Sequence, residues 1–243
     1  VVWFRALQVL TINWCVNLMS LPSSIGNLSQ LQQLTIRCCK SLGALPDTLC
    51  QLTALQQLQV LGCDSLEAVP ALPASLVRLC LIDCGRLQLL GEPVLGVDTA
   101  SRSATSLSNL VHLQYLRIEK CGLRQLPEFG VDMTACKSIS ICMCPNLNEL
   151  PASICSLPAL QQLSLSLRLQ SLPHALGQLG QLKHLRIWQG SKETGASLPA
   201  SVGQLLGLEE LEISDWPGLQ QLPLTLGNLA ALKVLKIQSC PGW

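Results

Sequence analysis

The sequence is poor in aromatic residues, poor in charge and almost without histidine. It carries one tyrosine, two phenylalanines and three histidines in 243 residues. Its net charge is +1, so bulk charge offers no attraction to nucleic acid or to an anionic membrane. Polar residues interrupt every apolar stretch before the roughly 18 residues that a membrane-spanning helix needs. No signal peptide is visible. Neither G-x-x-x-x-G-K-[ST] nor G-x-G-x-x-G occurs, which leaves nucleotide binding without a handle. His112, His174 and His184 fall in different settings, and none is joined to a Cys or Ser in a nucleophile motif. The expectation is a chain with no enzymatic activity, no cofactor, no nucleic-acid partner and no membrane partner. It begins at Val1 rather than Met, nearly at a strand, and is expected to be a piece of a longer protein.

What is abundant is repetition. Residues 21–44, LPSSIGNLSQLQQLTIRCCKSLGA, are followed without a gap by residues 45–68, LPDTLCQLTALQQLQVLGCDSLEA. Leu31, Leu34, Ile36, Cys39 and Leu42 match Leu55, Leu58, Val60, Cys63 and Leu66 at a period of 24. Fixed self-similarity of this length is the mark of a stacked array. Within each unit, Leu34-Thr35-Ile36 and Leu58-Gln59-Val60 alternate apolar and polar, the period of a half-buried strand. The following Leu-Pro-x-x-Ile/Leu places apolar residues three apart, with Pro at a plausible first helical position. Short helical or 3₁₀ segments are expected there.

The spacing L-x-x-L-x-L-x-x-C-x-x-L followed by L-P-x-x-I/L resembles the leucine-rich repeat. Leu34 to Ile36, Cys39, Leu42, Leu45-Pro46 and Leu49 resemble in particular the intracellular repeats of plant disease-resistance proteins and of related Ras-group scaffolds. The fold this implies is α/β, a curved horseshoe of about ten units. A parallel sheet lines its concave face, and short helices, 3₁₀ turns or extended segments form the convex one. Ten strands about 4.8 Å apart give an inner face on the order of 45 Å long. The function implied is protein or ligand recognition in a cytoplasmic signalling or defence protein, where a nucleotide-binding switch domain of the same longer chain is one partner. Residues 69–73, VPALP, resemble instead the short repeats of bacterial effectors. They motivate a second reading, the substrate-recognition segment of a ubiquitin ligase. An extracellular receptor domain is the third.

The units vary along one expected domain, 1–243. Cys63 and Cys84 are only 21 residues apart, and two prolines three apart in that outer segment, Pro70 and Pro73, favour an extended path. Between Cys84 and Cys121 the surplus falls in residues 91–106, a Gly-, Ser- and Thr-rich loop insertion that a solenoid can carry at small entropic cost. It reads as an excursion, or as a contact or regulatory loop with hydroxyls for phosphorylation.

Seven of the thirteen cysteines (Cys15, Cys39, Cys63, Cys84, Cys121, Cys144 and Cys240) occupy one repeat position. In leucine-rich repeats this ladder position takes Asn or Cys, whose side chain bonds the backbone of the turn. The thiols are therefore expected to be structural and reduced, as in the cytosol. Arg168, Gly190 and Trp216 stand at the same position elsewhere. Cys38-Cys39 and Cys142-Met143-Cys144 lack the two separated pairs of a structural zinc site, and no metal is expected.

Alternation also specifies what faces the concavity: the first, third and fifth residue of each strand. Most are small or amide side chains. Two clusters differ. Tyr115 and Arg117 with Glu119 form one; His184, Arg186 and Trp188 beside Glu210 and Glu212 form the other. Trp, Tyr and Arg are the side chains that most often carry interface energy, so these are the candidate partner-binding residues. The competing reading is that the opposite charges satisfy one another across neighbouring strands.

Overall fold

The structure is a computed structural model describing residues 4–91, 107–166, 172–188 and 197–243. Its strands, in chain order, are β1 (Val9–Asn13), β2 (Gln33–Arg37), β3 (Gln57–Leu61), β4 (Ala68–Val69), β5 (Arg78–Ile82), β6 (Leu89–Leu90), β7 (Tyr115–Glu119), β8 (Ser138–Cys142), β9 (Gln162–Ser166), β10 (His184–Trp188), β11 (Glu210–Ser214) and β12 (Val234–Gln238). Ten of these form one open sheet in the order β1-β2-β3-β5-β7-β8-β9-β10-β11-β12. Every pairing is parallel and in equal register, so Leu34 lies beside Leu58 and Leu185 beside Leu211. The repeat spacing dictates this: copies of one unit superpose side chain on side chain. Arg78 of β5 pairs directly with Tyr115 of β7, so the sheet runs on across the expected insertion. Within that insertion only Gly91 lies among the described residues.

Each inner strand of the large sheet, β1 and β12 aside, buries its second and fourth side chains and turns the other three toward the concave side. Leu34, Ile36, Leu58, Val60, Leu79, Leu81, Leu163 and Leu165 are fully buried. With the leucines of the adjoining turns they form one continuous core. The fifth position departs from plain alternation: Cys142, Ser166 and Ser214 are buried although they face the concave side.

The outer segments are 3₁₀ turns: Ser23–Asn27, Asp47–Gln51, Ala152–Ser156, His174–Gln178, Ala200–Gln204 and Leu224–Asn228. No α-helix occurs among the described residues. Proline sits one residue earlier than the sequence pattern suggests. Pro22 is extended, with φ −67° and ψ 144°, and its carbonyl accepts the Ile25 N–H at 3.0 Å. Its fixed φ suits the extended cap, and its missing N–H is not needed there. The short fourth unit lacks such a turn, as the two prolines suggest. Only the Leu76 N–H, bonded to the Pro73 carbonyl at 3.1 Å, closes a bend there. Instead β4 and β6 pair in a small second sheet that the pattern does not announce.

Among the described residues, a left-handed residue follows the strand in eight units. Trp14, Cys38, Gly62, Asp83, Lys120, Met143, Asp215 and Ser239 have φ between 51° and 64°. Each directly precedes a ladder residue. Turning the chain by this route sends the next side chain inward, under the sheet. It also aims the N–H of the turning residue at the next strand, as where Trp14 N–H meets the Arg37 carbonyl at 2.9 Å and Cys38 N–H meets Leu61 at 2.8 Å. The end strands lack cover on one side. Leu10 and Ile12 are half-buried, and Leu235 is 48% exposed where its equivalents in the inner strands are buried.

Candidate functional site

The ladder thiols bond backbone carbonyls. Cys39 Sγ donates to the carbonyls of Arg37 at 3.5 Å and Ile12 at 3.9 Å. Cys84 does the same with Ile82 at 3.6 Å and Val60 at 3.9 Å, and Cys121 with Glu119 at 3.4 Å and Leu81 at 3.5 Å. Cys15, Cys63, Cys144 and Cys240 each reach the carbonyl two residues back. Each thiol thus ties the end of its own strand, and in three units the preceding strand as well. All thirteen cysteines are free thiols. Burial pushes the Cys63 thiol up to about 12, and a hydrogen bond to Cys121 together with burial pushes Cys84 up. Such protonated thiols are poor nucleophiles and poor metal ligands. No His/Cys/Asp/Glu cluster able to hold a metal occurs among the described residues. Cys15 is exposed and Cys240 half-buried because no unit covers them. Trp216 is buried at its ladder position, with its ring N–H unpartnered among the described residues. Arg168 and Gly190 lie outside the described residues.

On the inner face, all five residues of the larger cluster face the concavity and are half-buried. The register sets His184 beside Glu210 and Arg186 beside Glu212. His184 Nδ1 is 3.2 Å from Glu210, and Arg186 Nη2 donates to the same carboxylate at 3.3 Å. Arg186 Nε lies 3.5 Å from Glu212 without hydrogen-bond geometry. The Trp188 indole N–H donates to Glu212 at 3.1 Å, which fixes the ring against the sheet. The next strand adds a member that the sequence reasoning passed over: Lys236 Nζ donates to Glu210 at 3.2 Å. A second row runs just before the strands, with Glu209 between Lys183 at 3.8 Å and Lys233 at 2.6 Å. Strand β11 is thus acidic and flanked by two basic strands. Hydrogen bonds from Lys236 and His184 hold the Glu210 carboxyl below the usual carboxylate range, and Lys233 does the same for Glu209. The charges of this cluster are largely matched within the sheet.

The other cluster is differently balanced. Arg117 donates twice to Glu119 of its own strand, at 2.6 Å and 3.2 Å, and this pairing raises the Arg117 pKa. Tyr115 carries the Arg78 guanidinium over its ring at 4.5 Å. Arg78 escapes a reading of single strands because only the register brings it beside Tyr115. Cys80 sits between Arg78 and Arg117; burial raises its thiol pKa against the pull of both guanidiniums. Between the two clusters the floor is small: Ser138, Ser140 and Ser164 are half-buried and Gln162 exposed.

The fold and this open, many-unit face define a repeat solenoid built to present a surface rather than to enclose a pocket. A family model described as a leucine-rich repeat region matches residues 137–243. The leucine-rich repeat domain of the type III effector XopL is similar over 97% of this chain and 78% of its own length, at 28% identity and a TM-score of 0.69. A TDR receptor structure is similar over 90% of this chain and 41% of its own, at 19% identity and a TM-score of 0.50, which speaks to the fold alone. No curated protein matches the sequence. The chain thus has the fold of a leucine-rich repeat solenoid, and its residues 137–243 match the model of such a region. Among the described residues no helix is long and apolar enough to cross a membrane.

Proposed function

We propose that this chain is a protein-recognition module, without catalytic activity of its own, that engages its partner across the concave sheet with Trp188 as the central contact. The observation that carries this is a half-exposed indole on a rigid strand, held in place by Glu212 in a face otherwise made mainly of small and amide groups. A pre-ordered aromatic loses little entropy on binding and offers a large area to bury. Arg186 and His184 frame it, and Glu210 and Glu212 keep both oriented.

Two settings fit such a module. Resemblance of the repeat wording to intracellular resistance proteins supports a cytoplasmic signalling or immune-type chain, in which a switch domain elsewhere in the same protein is a partner. The 28% identity to the repeat domain of a type III effector, together with the short extended fourth unit, supports an effector-type recognition domain, the ubiquitin-ligase reading among them. The second setting has the more specific support.

The test is capture of a partner by the immobilised chain, followed by affinity and melting measurements on Trp188→Ala. The expected loss is at least about 2 kcal/mol of binding with the melting temperature held. Unchanged affinity with an unchanged melt would move the contact off β10. A lowered melt would make the indole a part of the packing.

A further inference from the structure

Charge on the inner face is distributed unevenly along the solenoid. The outward positions of β1 through β9 carry three arginines, Arg37, Arg78 and Arg117, against the single acid Glu119. That acid is already taken by Arg117 at 2.6 Å. Arg37 and Arg78 have no carboxylate partner among the described residues. Arg78 is nevertheless held, because its guanidinium lies over the Tyr115 ring. It is a fixed, exposed cation whose fork of donors remains available. Carboxylates suit that fork better than any other protein group, since both oxygens can be met at once. At the other end Glu210 and Glu212 of β11, with Glu209 just before it, are met by Lys183, Arg186, Lys233 and Lys236, and Trp188 borders them. An acidic ligand residue is favoured over β5–β7, where Arg78 has no carboxylate, rather than around β11, where the cations already face carboxylates.

Between these ends lies the hydroxyl floor of β8 and β9. Ser140 and Ser164 are adjacent in the register and half-buried. Side chains this short let a backbone come close, and their hydroxyls can bond peptide groups. We propose, resting on the concave-face reading above, that the ligand is an extended protein segment lying across the strands. A side-chain carboxylate sits on Arg78, and an apolar side chain packs on Trp188. Four inter-strand steps separate β5 from β10. At about 4.8 Å each they span roughly 19 Å, and Trp188 lies four residues, about 13 Å, further along its strand than His184, which the register aligns with Arg78, so the two are about 23 Å apart, the reach of about seven extended residues. The carboxylate and the apolar residue are therefore about six to eight positions apart, with the carboxylate end toward β1.

Selection from a displayed library of random peptides, fused at the C-terminus so that only side-chain carboxylates are offered, tests this on the whole chain. The expected result is enrichment of Asp or Glu at that spacing from an aromatic or aliphatic residue. Amidated copies of the enriched peptides should lose about tenfold or more in affinity on Arg78→Gln. They should lose less on Arg78→Lys, which keeps the charge without the fork, and should weaken on Trp188→Ala. Enriched peptides without acids, or acidic ones bound equally by Arg78→Gln, would overturn the proposal. If such peptides still weaken on Trp188→Ala, the concave-face reading stands without it. If they ignore both substitutions, that reading falls as well. A library that enriches nothing counts against the acidic motif.

Discussion

The residue that turns the chain after each strand carries a cost that its type does not advertise. For any side chain with a Cβ, the left-handed conformation costs about 1–2 kcal/mol. Seven of the eight positions nevertheless hold Trp, Cys, Asp, Lys, Met or Ser, and only Gly62 is free of the penalty. Gly62→Val should therefore lower stability by about 1–2 kcal/mol. Lys120→Gly should be neutral or gain up to about 1 kcal/mol, relief of strain being offset by glycine's larger loss of freedom on folding. Urea unfolding of the two variants checks this. An unaffected Gly62→Val would mean that the turn carries no strain. In the sequence this turn is nearly silent: Gly62 and the two aspartates hint at it, while Trp14 and Met143 argue the other way. The recurring hydrogen bond to the next strand, which only stacking supplies, overrides local preference.

At the scale of the element, the 3₁₀ turns meet through a notch. A Cβ built on Gly26 would lie 2.7 Å from Thr48 Cβ, and one on Gly203 would lie 2.3 Å from the Thr225 carbonyl oxygen. Each glycine lets the next turn close in, and the threonine then donates to the earlier turn, Thr48 to Ser23 and Thr225 to Ala200, both at 2.7 Å. Gly227 occupies the same place in the last turn and has open space around it. Gly203→Ala should cost about 1–3 kcal/mol by forcing two turns apart. Gly227→Ala should be neutral or slightly stabilising. Equal melting shifts for the two would mean that the notch does not govern spacing. The strands, the Leu-Pro turns and their order are all readable from the period of 24, because each unit repeats the same apolar positions. The pairing of β4 with β6 is not readable, since two-residue strands leave no alternation to detect.

For the whole molecule, the column of buried thiols predicts alkaline sensitivity. Cys63 and Cys136 are pushed up to about 12 and Cys155 to about 11 by burial. An unfolded thiol ionises near 8.5. The raised groups thus contribute stability that is complete below that pH and lost as pH climbs toward about 11–12. Denaturant midpoints measured under reductant should fall from pH 8 to pH 10.5. A flat profile would mean that these thiols are not held protonated by the fold. The candidate surface was visible in the sequence as far as alternation carries: every named side chain faces inward. What was not visible is how charges are shared between strands, because Lys236 reaches diagonally to Glu210 and Arg78 finds Tyr115 only through register.

The basic-acidic-basic order of β10, β11 and β12 also bears on how such an array can grow. Solenoids lengthen by copying units, and a copied unit lands beside its original in equal register. A second β11 next to the first would set Glu210 against Glu210 and Glu212 against Glu212, and like charges directly opposite are destabilising. Copying β10 and β11 as a pair restores the alternation. The serine-bearing units of β8 and β9 impose no such condition. Lengthening is thus permitted one unit at a time in the middle of this array, and only in even steps toward its charged end.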